Sequence, residues 1–103
     1  MAKKVEWSRR AHEDRKEILL YWSHRNKSKT YSAKLFALFQ QAVSRIAENP
    51  ESFVKTAYKN VRMIVVREYL ILFTDPKDHV LIVAVWDGRR NPKSLRQHLR
   101  KEK

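Results

Sequence analysis

The segment VWDGRRNP, Val85 to Pro92, groups an aromatic (Trp86), an acid (Asp87), the chain's single glycine (Gly88), two adjacent arginines (Arg89 and Arg90) and a proline. Guanidinium groups bind phosphate or carboxylate bidentately. Asn91 and Pro92 are residues of a helix start, and a helix N-terminus adds partial positive charge. An aromatic beside paired arginines also suits stacking on a base. The segment therefore reads as an anion site on a strand end, with Gly88 permitting a backbone turn that other residues resist. The same residues equally fit a salt-bridged turn in which Asp87 pairs with Arg89 or Arg90. The sequence leaves both readings open.

Further cations extend the pattern. Arg62 falls on an otherwise apolar strand face, so it lies either at a sheet edge or at a site. Lys55 and Lys59 add positive charge nearby in sequence, and Arg67 with Glu68 forms a turn. Tyr58 and Tyr69 read as core-edge aromatics. From Gly88 to Lys103 there are seven cations, among them Lys93, Arg96 and Arg100, against one acid, Glu102. That is half of the chain's net charge of +12. A surplus of this size favours a polyanion or an acidic protein as partner.

Other chemistry is excluded by what is missing. There is no cysteine, hence no disulfide framework and no thiolate. His12, His24, His79 and His98 are scattered without ligand spacing, so no metal is expected. Gly88 is alone, which rules out a glycine-rich phosphate loop. No serine sits in a nucleophile motif, and no cofactor is expected. Any catalysis is limited to anion stabilisation with proton transfer, as in RNA cleavage through the 2′-hydroxyl.

These side chains need a scaffold, and 103 residues fit one domain. The longest apolar run is seven residues, too short for a membrane span. A soluble cytoplasmic protein is expected. Met1–Trp7 reads as a strand with Val5 and Trp7 on one face, and Ser8 as a helix N-cap. A helix follows from Arg9 to about Arg25, with Ala11, Ile18, Leu19 and Trp22 inward. After the polar break NKSK, a second helix capped by Thr30 or Ser28 runs to about Glu48. Its apolar face is wide: Tyr31, Leu35, Leu38, Ala42 and Ile46 beside Phe36, Phe39, Val43 and Ala47. Pro50 stops it.

The period then changes to two. Strands are predicted over Phe53–Ala57, Val61–Arg67, Tyr69–Thr74 and His79–Trp86, with Asp75 and Pro76 opening a type I turn. In HVLIVAVW the seven residues after His79 are all apolar, as for a central strand covered on both faces. A short basic helix or tail closes the chain over 92–103. The class is α+β: an N-terminal strand, an antiparallel helix hairpin packed on a twisted antiparallel sheet, and a short C-terminal basic helix.

In order along the chain, VEWSRRAHEDRKEILLYW, the hairpin ending in AENP, VRMIVVREYLILF and VWDGRRNP resemble the RelE/ParE superfamily of bacterial toxins from type II toxin–antitoxin modules. The resemblance implies the same α+β fold. It also implies a cognate antitoxin whose acidic and apolar segment wraps the toxin in a hetero-oligomer. RelE-like members cut messenger RNA on the ribosome, and ParE-like members poison DNA gyrase.

Ribonuclease members commonly carry an Arg after the aromatic of the YLILF-type strand, and here that position is Leu70. Val61 and Met63 stand where lysines are expected. Under the enzyme reading Arg62, Arg89 and Arg90 stabilise the transition state without metal, with Lys55 or Asp87 supporting. Lys59, Trp86, Lys93, Arg96 and Arg100 would contact substrate or partner. Under the gyrase reading the helix hairpin and the basic C-terminus form a docking surface. A non-toxic basic nucleic-acid-binding module is the alternative from outside the toxin class.

Overall fold

The computed structural model describes residues 2–100. The elements follow as β1 (Lys4–Trp7), α1 (Arg9–Asn26), α2 (Thr30–Glu48), a 3-10 turn (Pro50–Ser52), β2 (Val54–Lys55), β3 (Arg62–Val66), β4 (Tyr69–Thr74), β5 (His79–Asp87) and α3 (Pro92–Arg100). The chain is α+β, as the order of periodicities predicts. Met1, placed in the first strand by sequence, and 101–103 of the basic tail lie outside the described residues.

The five strands lie in the order β1-β5-β4-β3-β2. Every pairing is antiparallel except β1 with β5, which is parallel and runs from Lys4↔His79 to Trp7↔Ile82. The sheet is thus mixed, where sequence patterning alone suggested a meander. The parallel pair follows from the crossover: the helix hairpin carries the chain back to the β1 end, and the meander returns β5 beside it.

Most predicted boundaries hold to within a few residues. The strand expected over Phe53–Ala57 shrinks to Val54–Lys55, because Thr56 leaves the ladder. Its N–H and hydroxyl both donate to the Val61 carbonyl, at 2.9 Å each. The β4–β5 turn closes one residue later than expected, with His79 N–H donating to Pro76 O at 3.0 Å. Ser8 caps α1, its hydroxyl accepting from Ala11 N–H at 3.0 Å. For α2, Lys29 occupies the cap position, and Ser28 Oγ accepts from Thr30 N–H instead.

The helix hairpin covers one face of the sheet. Leu35, Phe39, Val43 and Ile46 of α2 and Ala11 of α1 pack on Ile64, Val66, Tyr69, Ile71, Phe73, Val80, Ile82 and Val85. Each large side chain removed from water there contributes about 1.5–3 kcal/mol. A second cluster lies on the opposite face: Leu72, Ala84, Trp86 and Leu95, flanked by Tyr58, Val61, Met63, Leu70, Val83 and Leu99. Leu95 and Leu99 bring α3 onto that face.

β5 serves both clusters through a bulge. Leu72 pairs with Ala84 and Phe73 with Ile82, so Val83 is an extra residue. Before it, Val80 and Ile82 face the hairpin. After it, the even positions Ala84 and Trp86 face α3, while Val85 turns to the hairpin. A one-residue insertion reverses the side-chain alternation of everything that follows.

The bulge coincides with the end of β1, beyond which β5 has no strand on that side. α1 completes the bonding. Ser8 N–H donates to Ile82 O at 2.9 Å and Ser8 Oγ to Val83 O at 3.2 Å, and Asp14 Oδ2 accepts from Val85 N–H at 3.0 Å. Ser8 therefore both caps the helix and closes the sheet. Ser8→Ala is expected to lower unfolding stability by about 1–2 kcal/mol. Ser8→Thr should retain most of it, and urea unfolding of the two variants checks this.

Candidate functional site

The opening segment lies at the end of the sheet where Tyr69 pairs with Asp87. β5 ends there against the Arg67–Glu68 turn, whose first residue has a left-handed φ of 57°. Gly88 N–H donates to Glu68 O at 2.8 Å. The φ of Gly88 is not positive, contrary to the expectation of a turn closed to other residues. The constraint is space: a Cβ at this position would stand 3.1 Å from the Glu68 carbonyl oxygen and in contact with Leu70.

Arg89 is clamped. Its N–H and Nε donate to Asp87 Oδ1 at 2.9 and 3.0 Å, and Nη2 donates to Asp87 Oδ2 at 2.9 Å. Nη1 lies 3.1 Å from Glu68 Oε2. The bidentate bond raises the Arg89 pKa and holds the Asp87 carboxyl below its usual range. The salt-bridged turn is therefore the reading the geometry supports, with Glu68 as a third member. Arg90 stacks instead, its guanidinium carbon 4.4 Å from the centre of the Trp86 ring. Asp87 and Glu68 offset Arg89 and one further charge, so with Arg67 and Arg90 the cluster keeps a small positive charge.

Trp86 does not face an incoming base. It is only 3 % exposed, in the second core, with Arg90 over the ring and His98 at 5.1 Å between ring centres. Its position after the Val83 bulge fixes that burial. Of the α3 cations, Lys93 and Arg96 are exposed, and the Arg100 side chain lies outside the described residues.

Arg62 stands elsewhere. It pairs with Phe73, four residues along β4 from Tyr69, which is about 13 Å at the usual strand rise. It alternates with Ile64 and Val66 on the hairpin face, and its Nη1 donates to Phe53 O at 2.7 Å. Arg62 therefore does not converge with Arg89 and Arg90. It joins Lys55 and Lys59 in a cleft of about 830 Å³ between the β2–β3 loop and the β4–β5 turn, lined also by Tyr58, Asn60 and Asp75.

One polar constellation escaped the sequence reading. Asp14 is buried in α1, and both its oxygens lie 2.9 Å from His98 Nε2 on α3. Burial pushes its carboxyl pKa up, against the bonds from His98 and Val85 and the nearby charge of Arg10. The available signal was the position of Asp14 on the same helical stripe as Ala11, Ile18 and Trp22. A charged residue there must find a partner across the core. Trp22 Nε1 also donates to Tyr69 Oη at 2.7 Å, joining α1 to β4. Among the described residues no three His, Cys, Asp or Glu side chains gather to hold a metal. No described helix is long and apolar enough to cross a membrane.

Asp14→Ala should cost about 1–3 kcal/mol by stranding Val85 N–H and His98, and His98→Ala added to it should cost clearly less than its single effect. The two acids should respond to pH with opposite signs. The contribution of Asp87 is complete above the unfolded aspartate value of about 3.9 and is lost as pH falls through its lowered folded value. For Asp14, whose folded value is raised, stability relative to Asp14→Asn is greatest below about 3.9 and declines as pH rises through the folded value. Urea midpoints of the native chain, Asp87→Asn and Asp14→Asn across acid pH check both.

Comparison with known proteins bears on what this arrangement is for. Residues 5–92 match the family described as ParE toxin of type II toxin-antitoxin system, parDE. Among solved structures, a chain of the chromosomal ParDE TA system from P. aeruginosa superposes with a TM-score of 0.73 at 12% identity. The superposition covers 84% of this chain and 96% of that one. No curated protein matches the chain in sequence.

Proposed function

Because the chain belongs to the ParE toxin family of type II toxin–antitoxin systems, we propose that it arrests growth by poisoning DNA gyrase and is neutralised by a cognate acidic antitoxin. The observation that carries the choice of gyrase over ribosomal messenger RNA is the separation of the arginines. A metal-free ribonuclease needs several cations converging on one scissile phosphate. Here Arg89 is clamped by Asp87 and Glu68, Arg90 lies on Trp86, and Arg62 bonds Phe53 O about 13 Å further along the sheet. Leu70, at the position where ribonuclease relatives carry Arg, packs beneath Gly88.

A docking role rests on the helix hairpin. Leu20, Tyr21 and Phe36 are exposed apolar residues on it, at 49, 53 and 38 %. Leu19, Leu20 and Phe36 line a shallow groove between α1 and α2, edged by Arg15, Lys16 and Lys29. Such a surface suits a partner presenting apolar and acidic side chains.

The purified protein is expected to inhibit supercoiling by gyrase and accumulate cleaved DNA, while leaving ribosome-bound messenger RNA intact. Replacing Leu20 and Phe36 together by Glu should weaken that inhibition at least about tenfold, since a charge in a docking core costs more than about 1.4 kcal/mol. Circular dichroism should show the variant still folded. Messenger RNA cleavage with gyrase untouched would reverse the assignment of target.

A further inference from the structure

The cleft holding Lys55, Lys59 and Arg62 has a feature the fold does not require. β2 makes only two pairings, and one sets Lys55 directly opposite Arg62. Like charges facing each other across strands destabilise a sheet. No carboxylate among the described residues lies within ion-pairing distance of Lys55, Lys59 or Arg62. Arg89, by contrast, has two. Arg89 is thus paired at one end of the sheet, whereas Lys55, Lys59 and Arg62 share one cleft at the other with no carboxylate partner among the described residues.

The loop that carries them is well built. Thr56 Oγ1 donates to the Val61 carbonyl and accepts from Tyr58 N–H at 3.1 Å, and Val61 N–H donates to Tyr58 O at 3.1 Å. Asn60 completes it in a left-handed conformation, φ 64°. Tyr58 is half-buried against the second core, and Arg62 is anchored on Phe53 O. The cations are thus presented on a formed surface with an aromatic and an amide beside them.

We propose that this cleft binds the phosphodiester backbone of a nucleic-acid strand. A strand supplies one negative charge per nucleotide along its length, matching bare cations spread around a cleft, and its bases can stack on Tyr58. An acidic peptide fits less well, because such peptides anchor through apolar side chains and Lys55, Lys59, Asn60, Arg62, Thr74 and Asp75 make this lining mostly polar. Asp75 is the one acid lining the cleft, so it opposes the ligand. The site needs no gyrase, and its test is independent of the target reading.

The experiment measures fluorescence anisotropy of a labelled short oligodeoxythymidine and an oligouridylate with the purified full-length chain across salt. Lys55→Glu is expected to weaken strand binding about tenfold or more and to lower the salt slope, which is about 0.7 per phosphate contact. The same variant should raise the urea midpoint, because the introduced carboxylate faces Arg62 with the opposite charge. Asp75→Asn should tighten binding. Lys93→Ala with Arg96→Ala, which removes two exposed cations of α3, should weaken it much less. Tighter binding of the deoxy strand assigns the site to DNA and of the ribo strand to RNA, and either supports it. Unchanged binding by Lys55→Glu, an equal loss from the α3 variant, or equal affinity for polyglutamate of the same length would overturn the proposal.

Discussion

β5 has to do two incompatible things, and the molecule is arranged around the solution. It must bury apolar side chains against the hairpin on one face and against α3 on the other. It must also continue past Ile82, where its partner β1 stops. A regular strand would send Val80, Ile82, Ala84 and Trp86 to one face. The extra residue Val83 sends the last two to the other and turns the strand's bonding groups toward α1. Ser8 and Asp14 then supply the bonds that a strand would have made. An unpaired buried N–H or C=O there would cost about 1–3 kcal/mol, so the bulge and the two α1 side chains stand or fall together.

The same junction fixes α3. His98 reaches Asp14 from the far side of β5 and lies against Trp86, whose ring Arg90 covers. One chain of contacts therefore runs from the buried carboxylate of α1 through the C-terminal helix to the arginine loop. A buried polar contact alone is weak evidence of stability. Its value here lies in specifying which face α3 occupies, since Leu95 and Leu99 give apolar contact without direction. The loop at the end of β5 is also tied by side chains, with Arg89 held by both Asp87 and Glu68. On the function proposed above, these charges hold the loop, while the hairpin surface and the cations of the β2–β3 cleft are the parts offered to partners.

Much of this was legible in the residues. Ser8, Pro50, Asn91 and Pro92 mark helix ends by their local chemistry, which depends on few neighbours. The stripes of α1 and α2 and the alternation in β3 and β4 report their buried faces directly. The unbroken apolar run of β5 correctly announced burial on both sides, yet it concealed the bulge, because a strand apolar at every position has no alternation to break. The salt-bridged turn at Asp87 was visible as one of two readings. Glu68 was not, being far earlier in the chain and brought there only by β4–β5 pairing.

The sequence by itself determined the element order, the α+β class, the absence of thiol chemistry and the large positive charge, since these follow from composition and short-range spacing. Only the tertiary structure decided which arginines act together. Arg62 lies in β3 and Arg89 in the turn that follows β5, but their separation depends on hairpin register, and register is set by long-range packing. It likewise decided that β1 pairs in parallel, that Trp86 is core and that Asp14 meets His98 eighty-four residues away. A carboxylate's partner and a cation's freedom are properties of distance in space, and spacing along the chain measures that distance only within an element.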